Sequence, residues 1–549
     1  MHFASLEHYI SRRSPVAAPH GAVAASQPLA ATVGCDVLRA GGNAADAAVA
    51  TAAVLQVTVP CQTGLGGDLF ALFFDATESR VYALNGSGRS PAALDLQLLE
   101  AQGLRGALPA EHAHTVTVPG APQAWHDLSA RFGSKPLTEL LAPAISLAAD
   151  GFAVAPLAAR MWQAGEPKLL AAAHGAELLP GGRAPVAGQV MRNATLARSL
   201  RTLASDGPDP FYRGDTARRI ADAVQQAGGV LSTADLAAHR GGSWVEPISI
   251  EYAGVRIWEC PPNGQGLAAL MALNALRSFE LAATDAPVLA ADRYHLTIEC
   301  MRQAFADAAA YIADPEHAEV PVAQLLDADY GRRRAAQIDA QRAHPEVAAG
   351  VLQEGSAGSD TVYFCVVDAA GNGCSVVNSN YMGFGTGLVP EGCGFALQNR
   401  GAGFSHESGH PNQLAPGKRP YHTIIPALAT DAESGRLRAT FGVMGGMMQP
   451  QGHLQVACSL FHDGVDPQAA LDRPRFQLAG GSAAGDLLLE RGMEEVADQL
   501  RARGHRVSVV APGFGRGQII GRTAEADARW WAGSDPRGDG YAAAVPFAP

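Results

Sequence analysis

The chain has 549 residues, 47% of them hydrophobic and 17% charged, a composition that buries a large core and excludes a disordered polymer or a small stapled scaffold. A formal net charge of −12, with no basic run longer than Arg332-Arg333-Arg334, excludes a nucleic-acid footprint, and no apolar stretch is long enough to span a bilayer. The opening residues lack a basic segment followed by an apolar one, so a cytoplasmic protein is expected, and eight scattered cysteines without a C-x-x-C pair indicate neither a disulfide framework nor a thiolate zinc site.

Residues 27 to 57 read as two helices broken at Gly41-Gly42; the second, Ala44 to Leu55, is apolar on nearly every face and is expected to be central. Strands follow at Leu69 to Phe74 and Arg80 to Leu84, the second emptying into the glycine-rich turn Asn85 to Pro91. From Thr117 to about Arg240, prolines punctuate Ala/Leu clusters, the pattern of a helical lobe over about 117–240. Ile248 to Trp258 resumes strand character, and Gly266 to Leu276 and Tyr294 to Ala310 read as long helices.

A polar helix around Gln324 to Gln341 leads to Gln353 to Asp360, whose only apolar residue is Ala357 and which is expected to be mobile. Directly after it, Thr361 to Asp368 is a dense β-former run. A short turn at Ala369 to Asn372 joins it to Cys374 to Ser379, a hairpin signal. Beyond, short strands (Thr423 to Leu428, Leu437 to Val443) alternate with helices (Gly452 to Phe461, Met493 to Arg503) without a repeat. The fold class is α+β, a layered sheet-and-helix domain.

Three motif-like strings read as decoys. His406-Glu407-Ser408-Gly409-His410 imitates a zinc helix, but Gly409 and Pro411 oppose the helix that would align its imidazoles. Gly513-Phe514-Gly515-Arg516-Gly517 has no helix behind it to complete a dinucleotide turn. In His112-Ala113-His114 the neighbouring Glu111 would point away from both rings on an extended segment. No metal and no cofactor are expected.

The informative junction is Ser359-Asp360-Thr361, where a flexible acidic-ended tail meets a buried-looking strand that begins with a hydroxyl. Scission there would make Thr361 an N-terminus. Nucleophile and base then share one residue, because an α-amine with a pKa near ~8 can take the hydroxyl proton at neutral pH.

Over essentially its whole length the chain resembles the gamma-glutamyltransferase family of N-terminal-nucleophile hydrolases. The resemblance rests on Gly41-Gly42-Asn43-Ala44-Ala45-Asp46-Ala47-Ala48, Gly64-Leu65-Gly66-Gly67-Asp68, Thr117-Val118-Pro119-Gly120 and Asp360-Thr361 with Val366-Val367-Asp368. It continues in Gly383-Phe384-Gly385-Thr386-Gly387, Lys418-Arg419-Pro420, Gly445-Gly446 and Ser534-Asp535-Pro536-Arg537, in matching order. It implies a proenzyme that cleaves itself between Asp360 and Thr361 into a large subunit, 1–360, and a small one, 361–549, paired as a heterodimer in one αββα sandwich. A higher homo-oligomer stays open. By the same resemblance Thr361 is the nucleophile, Ser379 the second hydroxyl that hydrogen-bonds to it, and Gly445 and Gly446 the oxyanion hole.

The sequence departs from a glutamyl enzyme where the family grips its substrate. The Gln and Asp that hold the glutamyl ammonium are matched by Arg400 and Gly403, and a permanently positive guanidinium repels an ammonium. The two carboxylate-binding serines are matched by His422 and Thr423, and the Asn near the nucleophile by Tyr381. The carboxylate-binding Arg is matched by Ser87, with Arg89 two residues on. A pocket that favours an anion and no amine suits a small carboxylate-bearing amide. Gln398-Asn399-Arg400-Gly401 and His422-Thr423-Ile424-Ile425-Pro426 resemble the oxamate amidohydrolase branch of the family, so the expected reaction is oxamate to oxalate and ammonia. Arg400, and with it Arg89, would clamp the carboxylate. The alternatives are a glutathione hydrolase or gamma-glutamyltransferase, a glutaryl or cephalosporin-type acylase, and a non-catalytic binding homologue.

Overall fold

The computed structural model describes residues 13–241, 243–281, 291–344, 347, 361–522 and 529–547. The run after Thr361 becomes an interior strand, Val362–Val367, of a seven-stranded sheet. Its order is Tyr541–Ala544, Ala22–Ala25, Val362–Val367, Gly373–Ser379, Asp68–Asp75, Arg80–Gly86 and Ser243–Val245, and every neighbouring pair is antiparallel. Val362, Phe364 and Val366 pack toward helices, while Tyr363, Cys365 and Val367 face the second sheet. Burial on both faces is why the run shows no polar alternation.

The second sheet orders Val16–Ala18, Trp530–Ser534, Arg516–Gly521, Leu437–Met444, Ala427–Asp431, Val255–Glu259 and Ile248–Tyr252. Phe70, Leu72, Tyr363, Leu428 and Ile520 fill the space between the sheets. Helices Pro28–Arg39 and Ala44–Thr58 cover the first sheet, and Gly266–Leu276, Ala291–Tyr311 and Met448–Ala457 cover the second, completing the αββα sandwich. All fifteen residues of Ala44–Thr58 are buried, and Asn43 and Asp46 close its N-terminus in a reciprocal capping box. Its alanines let the helix approach its neighbours on every side. Seven helices between Ala121 and Ala238 extend this outer layer, with Trp125, Leu140, Trp162, Leu200 and Ile220 in the same apolar cluster. Among the described residues no helix is long and apolar enough to cross a membrane.

Several elements differ from the sequence expectation. Ile248 to Trp258 is a hairpin, Ile248–Tyr252 and Val255–Glu259, because Ala253 and Gly254 both take positive φ, as a tight two-residue turn requires. The polar helix around 324–341 splits into Val322–Leu325 and Ala328–Ala335, where Asp327 caps the second piece. The strand expected from Thr423 begins only at Ala427: Pro426 has no N–H for a ladder, and the amides of Ile424 and Ile425 go to the side chains of His422 and Gln449. The helix expected over Gly452 to Phe461 starts earlier, as Met448–Ala457, and loosens into a π-turn at Cys458–His462. Gln353 to Asp360, including the acidic half of the proposed scission site, lies outside the described residues.

Candidate active site

Antiparallel register sets the site. Val362 pairs with Asn378, so Thr361, one residue earlier, lies beside Ser379, and Ser379 in turn pairs with Asp68 on the next strand. Three polar side chains thus share one row across three neighbouring strands, and all three are fully buried. Thr361 Oγ1 and Ser379 Oγ are 3.0 Å apart. The serine oxygen also accepts from the amide of Tyr381 at 2.8 Å and from Arg400 Nη2 at 3.2 Å. Both of those partners are N–H donors, so toward them the serine oxygen only accepts, and Thr361 Oγ1 lies within hydrogen-bond reach of its hydroxyl.

Tyr381 turns the chain out of the strand with a φ of 78°, a conformation that non-glycine residues rarely adopt. Its ring lies 4.2 Å from the Arg400 guanidinium carbon. Arg400, in the short turn Arg400–Gly403, is completely buried and donates from Nη1 to Thr423 Oγ1 at 2.7 Å. Among the described residues it forms no ion pair, and its Nε has no hydrogen-bond partner. Burial pulls the guanidinium down to about 10, still a cation at neutral pH. A buried cation without a carboxylate is costly, and the row of hydroxyls beside it suits an arriving anion.

The structure adds a residue that the sequence reading quoted in a motif but assigned no role. Asp68 Oδ1 accepts from the amides of Gly88 and Gly120 and from Gln398 Nε2, and Oδ2 accepts from His422 Nε2 at 3.0 Å. His422 Nδ1 takes the amide of Ile424, so the ring is a neutral Nε2–H tautomer wholly engaged with protein. It shapes the site through Asp68 and Phe70, whose ring centroid is 4.7 Å away. Gln398 also reaches Thr117 Oγ1, tying the segment that carries Arg400 to the same carboxylate.

Burial, reinforced by Arg400 and only partly offset by Asp68, pushes His422 down to about 4. Burial does the same to His239, also to about 4. Unfolded, both return to ~6.5, so below that pH the unfolded chain binds more protons than the native one. Their contribution to stability is full above about pH 6.5 and is lost as the pH falls toward 4, on the order of 3 kcal/mol for His422. Thermal unfolding midpoints are therefore expected to fall over that interval, with a shallower slope in His422→Gln; a level wild-type profile would contradict this.

Gly445 and Gly446, both at positive φ, turn the chain from Leu437–Met444 into the helix Met448–Ala457. A helix N-terminus presents unpaired amides, the donors an oxyanion hole needs. Gln265 Nε2 bridges the carbonyls of Gly446 and Thr423 at 2.9 and 2.7 Å, linking this turn to the partner of Arg400. Nothing in the spacing of the sequence indicated Gln265.

Arg89 does not join the cluster. Its guanidinium pairs with Glu316 at 2.7 Å and Asp314 at 3.5 Å and donates to the Gly417 carbonyl. Nearness in sequence to Ser87 misled here, because the buried Asp314 carboxylate and the Gly417 carbonyl draw the Arg89 guanidinium away; Ser87 itself bonds to Asn85 and Asn263. Residues 406–410 form turns, with His410 Nδ1 accepting the amide of Asn412. The amides of Gly513 and Phe514 are taken by Glu490, and His114 bonds to Gln102.

The gamma-glutamyltranspeptidase family profile matches residues 30–545. The chain is 36% identical to the oxamate amidohydrolase proenzyme of Klebsiella pneumoniae subsp. pneumoniae, over 90% of this chain and 92% of that protein. It is 33% identical to the glutathione hydrolase-like YwrD proenzyme of Bacillus subtilis, over 94% and 97%. The crystal structure of cephalosporin acylase from Bacillus halodurans matches with a TM-score of 0.90 and 43% identity, over 99% of each chain.

Proposed function

Because the chain belongs to the gamma-glutamyltranspeptidase family and is a self-processing amidohydrolase, we propose that it hydrolyses a small amide bearing a carboxylate next to the scissile carbonyl, with oxamate as substrate. In maturation the Thr361 hydroxyl attacks the Asp360 carbonyl and displaces the Thr361 nitrogen, which becomes the free α-amine; hydrolysis of the resulting ester then releases the Thr361 hydroxyl and the Asp360 carboxylate, leaving subunits 1–360 and 361–549. In turnover that amine takes the Thr361 hydroxyl proton as Oγ1 attacks the substrate carbon, and then delivers it to the departing ammonia. Water releases the acid from the threonine ester. Ser379 holds the nucleophile's oxygen, and the amides of Gly445 and Gly446 receive the oxyanion; one such donor contributes ~3 kcal/mol.

The carrying observation is how short the path is from cation to nucleophile. Two hydrogen bonds, of 3.2 and 3.0 Å through Ser379 Oγ, separate Arg400 Nη2 from Thr361 Oγ1. A carboxylate held by Arg400 therefore lies beside the carbon under attack. In oxamate those two carbons are bonded to each other, whereas a glutaryl amide interposes three methylenes. A gamma-glutamyl substrate brings an ammonium toward a buried guanidinium. Tyr381 and Thr423 limit the space around the acid and fix the guanidinium's plane.

Ammonia release from oxamate and from glutaramate, measured beside chromophore release from a gamma-glutamyl anilide, tests this. Oxamate is expected to lead in kcat/KM by at least about tenfold, or ~1.4 kcal/mol. Preference for the glutaryl amide would instead support the acylase reading, which the 43% identity to the Bacillus halodurans acylase structure favours.

A further inference from the structure

A second buried cluster lies far from Thr361 in the sequence, among helix Ala291–Tyr311 and the turn before strand Val507–Val510. His295 and Glu299, one helical turn apart, meet His505 there, and one ligand atom from each lies within 4.8 Å of the others. All three are at least nine-tenths buried. The hydrogen bonds fix the protons. His295 Nε2 is 2.7 Å from the carbonyl oxygen of Asp339, which can only accept, so the His295 proton is on Nε2 and its Nδ1 is bare. His505 Nε2, 2.7 Å from that Nδ1, must then be the donor. This leaves His505 Nδ1 as a lone pair. It faces Glu299 Oε1 across 3.9 Å, and neither atom has a hydrogen-bond partner.

Two acceptors facing each other in a buried site need something positive between them. A shared proton cannot bridge 3.9 Å, and a water donating to both would hold them ~4.5 Å apart. A zinc-class ion binds imidazole nitrogen and carboxylate oxygen at ~2.0–2.1 Å each, so it spans this gap with only a small inward shift toward tetrahedral angles. The supporting shell is also of the kind metal sites use: His505 donates its other N–H to His295, and His295 donates to a backbone carbonyl. Glu299 Oε2 accepts the amide of His344, an exposed residue, so the carboxylate lies one hydrogen bond beneath the surface. Arg302 Nε, 3.6 Å from Glu299 Oε1, competes for this carboxylate but spends two of its other donors on the carbonyls of Ala483 and Gly485, and Arg503, whose charge also reaches both imidazoles, pairs with Asp292.

We propose that Glu299 Oε1 and His505 Nδ1 bind a divalent first-row ion of the zinc class, with His295 orienting His505. Glu299 and His295 precede the Asp360-Thr361 junction and His505 follows it, so the ion joins the two subunits. The binding itself requires no scission and does not depend on the substrate reading.

Equilibrium dialysis of the full-length, metal-stripped protein against Zn2+, with bound metal measured by mass spectrometry, is expected to find one ion per chain at micromolar free Zn2+. Glu299→Gln and His505→Gln are each expected to weaken binding by at least about tenfold. Zinc-edge X-ray absorption of the wild-type protein examines the ligands without relying on any variant and is expected to show a single imidazole among oxygen neighbours. A folded wild-type protein that takes up no Zn2+ would overturn the proposal and leave the gap to water. So would undiminished binding by both variants, or a spectrum with sulfur or several imidazoles.

Discussion

Thr361→Ala is expected to remain one unprocessed chain and to lose amide hydrolysis by at least about a thousandfold. The wild-type protein is expected to yield a smaller fragment whose N-terminal residue, by sequencing or mass spectrometry, is Thr361. The effect is large because, in the mechanism proposed, one oxygen serves both reactions, while Ser379 Oγ already holds the Tyr381 amide and the Arg400 guanidinium. Thr361→Ser keeps the hydroxyl and is expected to mature more slowly yet still turn over. Wild-type rates of ammonia release from the alanine variant would remove Thr361 from the mechanism. A fragment beginning elsewhere would move the scission site.

Arg400→Gln is expected to lower kcat/KM for oxamate about a hundredfold, equivalent to ~3 kcal/mol, because a charge-assisted clamp on the carboxylate is lost. Most of the change should fall on KM, since the carboxylate carries the same charge in the ground and transition states. The neutral analogue oxamide separates binding from scaffolding. If Arg400 grips the acid, hydrolysis of oxamide changes little. If the guanidinium merely positions Ser379, both substrates decline together, and the carboxylate assignment fails. Stability offers a control: Arg400 is a buried cation without an ion pair among the described residues, so its neutral replacement should not unfold the protein.

The strand after Thr361 was legible because six consecutive apolar residues leave few other homes than the interior of a sheet covered on both faces. A guanidinium stays charged in almost any context, so the sequence alone points to an anion for Arg400, the expectation that the oxamide comparison tests. Asp68 could not: its role follows from a register that aligns it with Ser379, and no local pattern reports which strands become neighbours. His422 shows the converse error, since a residue that matches a substrate-binding position turns out to have both ring nitrogens committed to Asp68 and Ile424. Arg89 failed for a similar reason, as Asp314 and Glu316 lie more than two hundred residues away in the chain yet claim its guanidinium. The pairing of His295 with His505 spans 210 residues and carries no signature that spacing could expose.

Strand order in the first sheet bears on what scission does to the molecule's history. Ala22–Ala25, from before the proposed cut at Asp360-Thr361, is clasped between Tyr541–Ala544 and Val362–Val367, both from after it. In the second sheet Val255–Glu259, again from before, is laddered to Ala427–Asp431. Neither fragment can withdraw without stripping whole ladders from the other, so the nicked product keeps the shape its uninterrupted precursor reached. Once melted, it becomes two polymers that must find each other by diffusion: the precursor's route to the fold is used once, and afterwards the architecture endures through the slowness of its own disassembly.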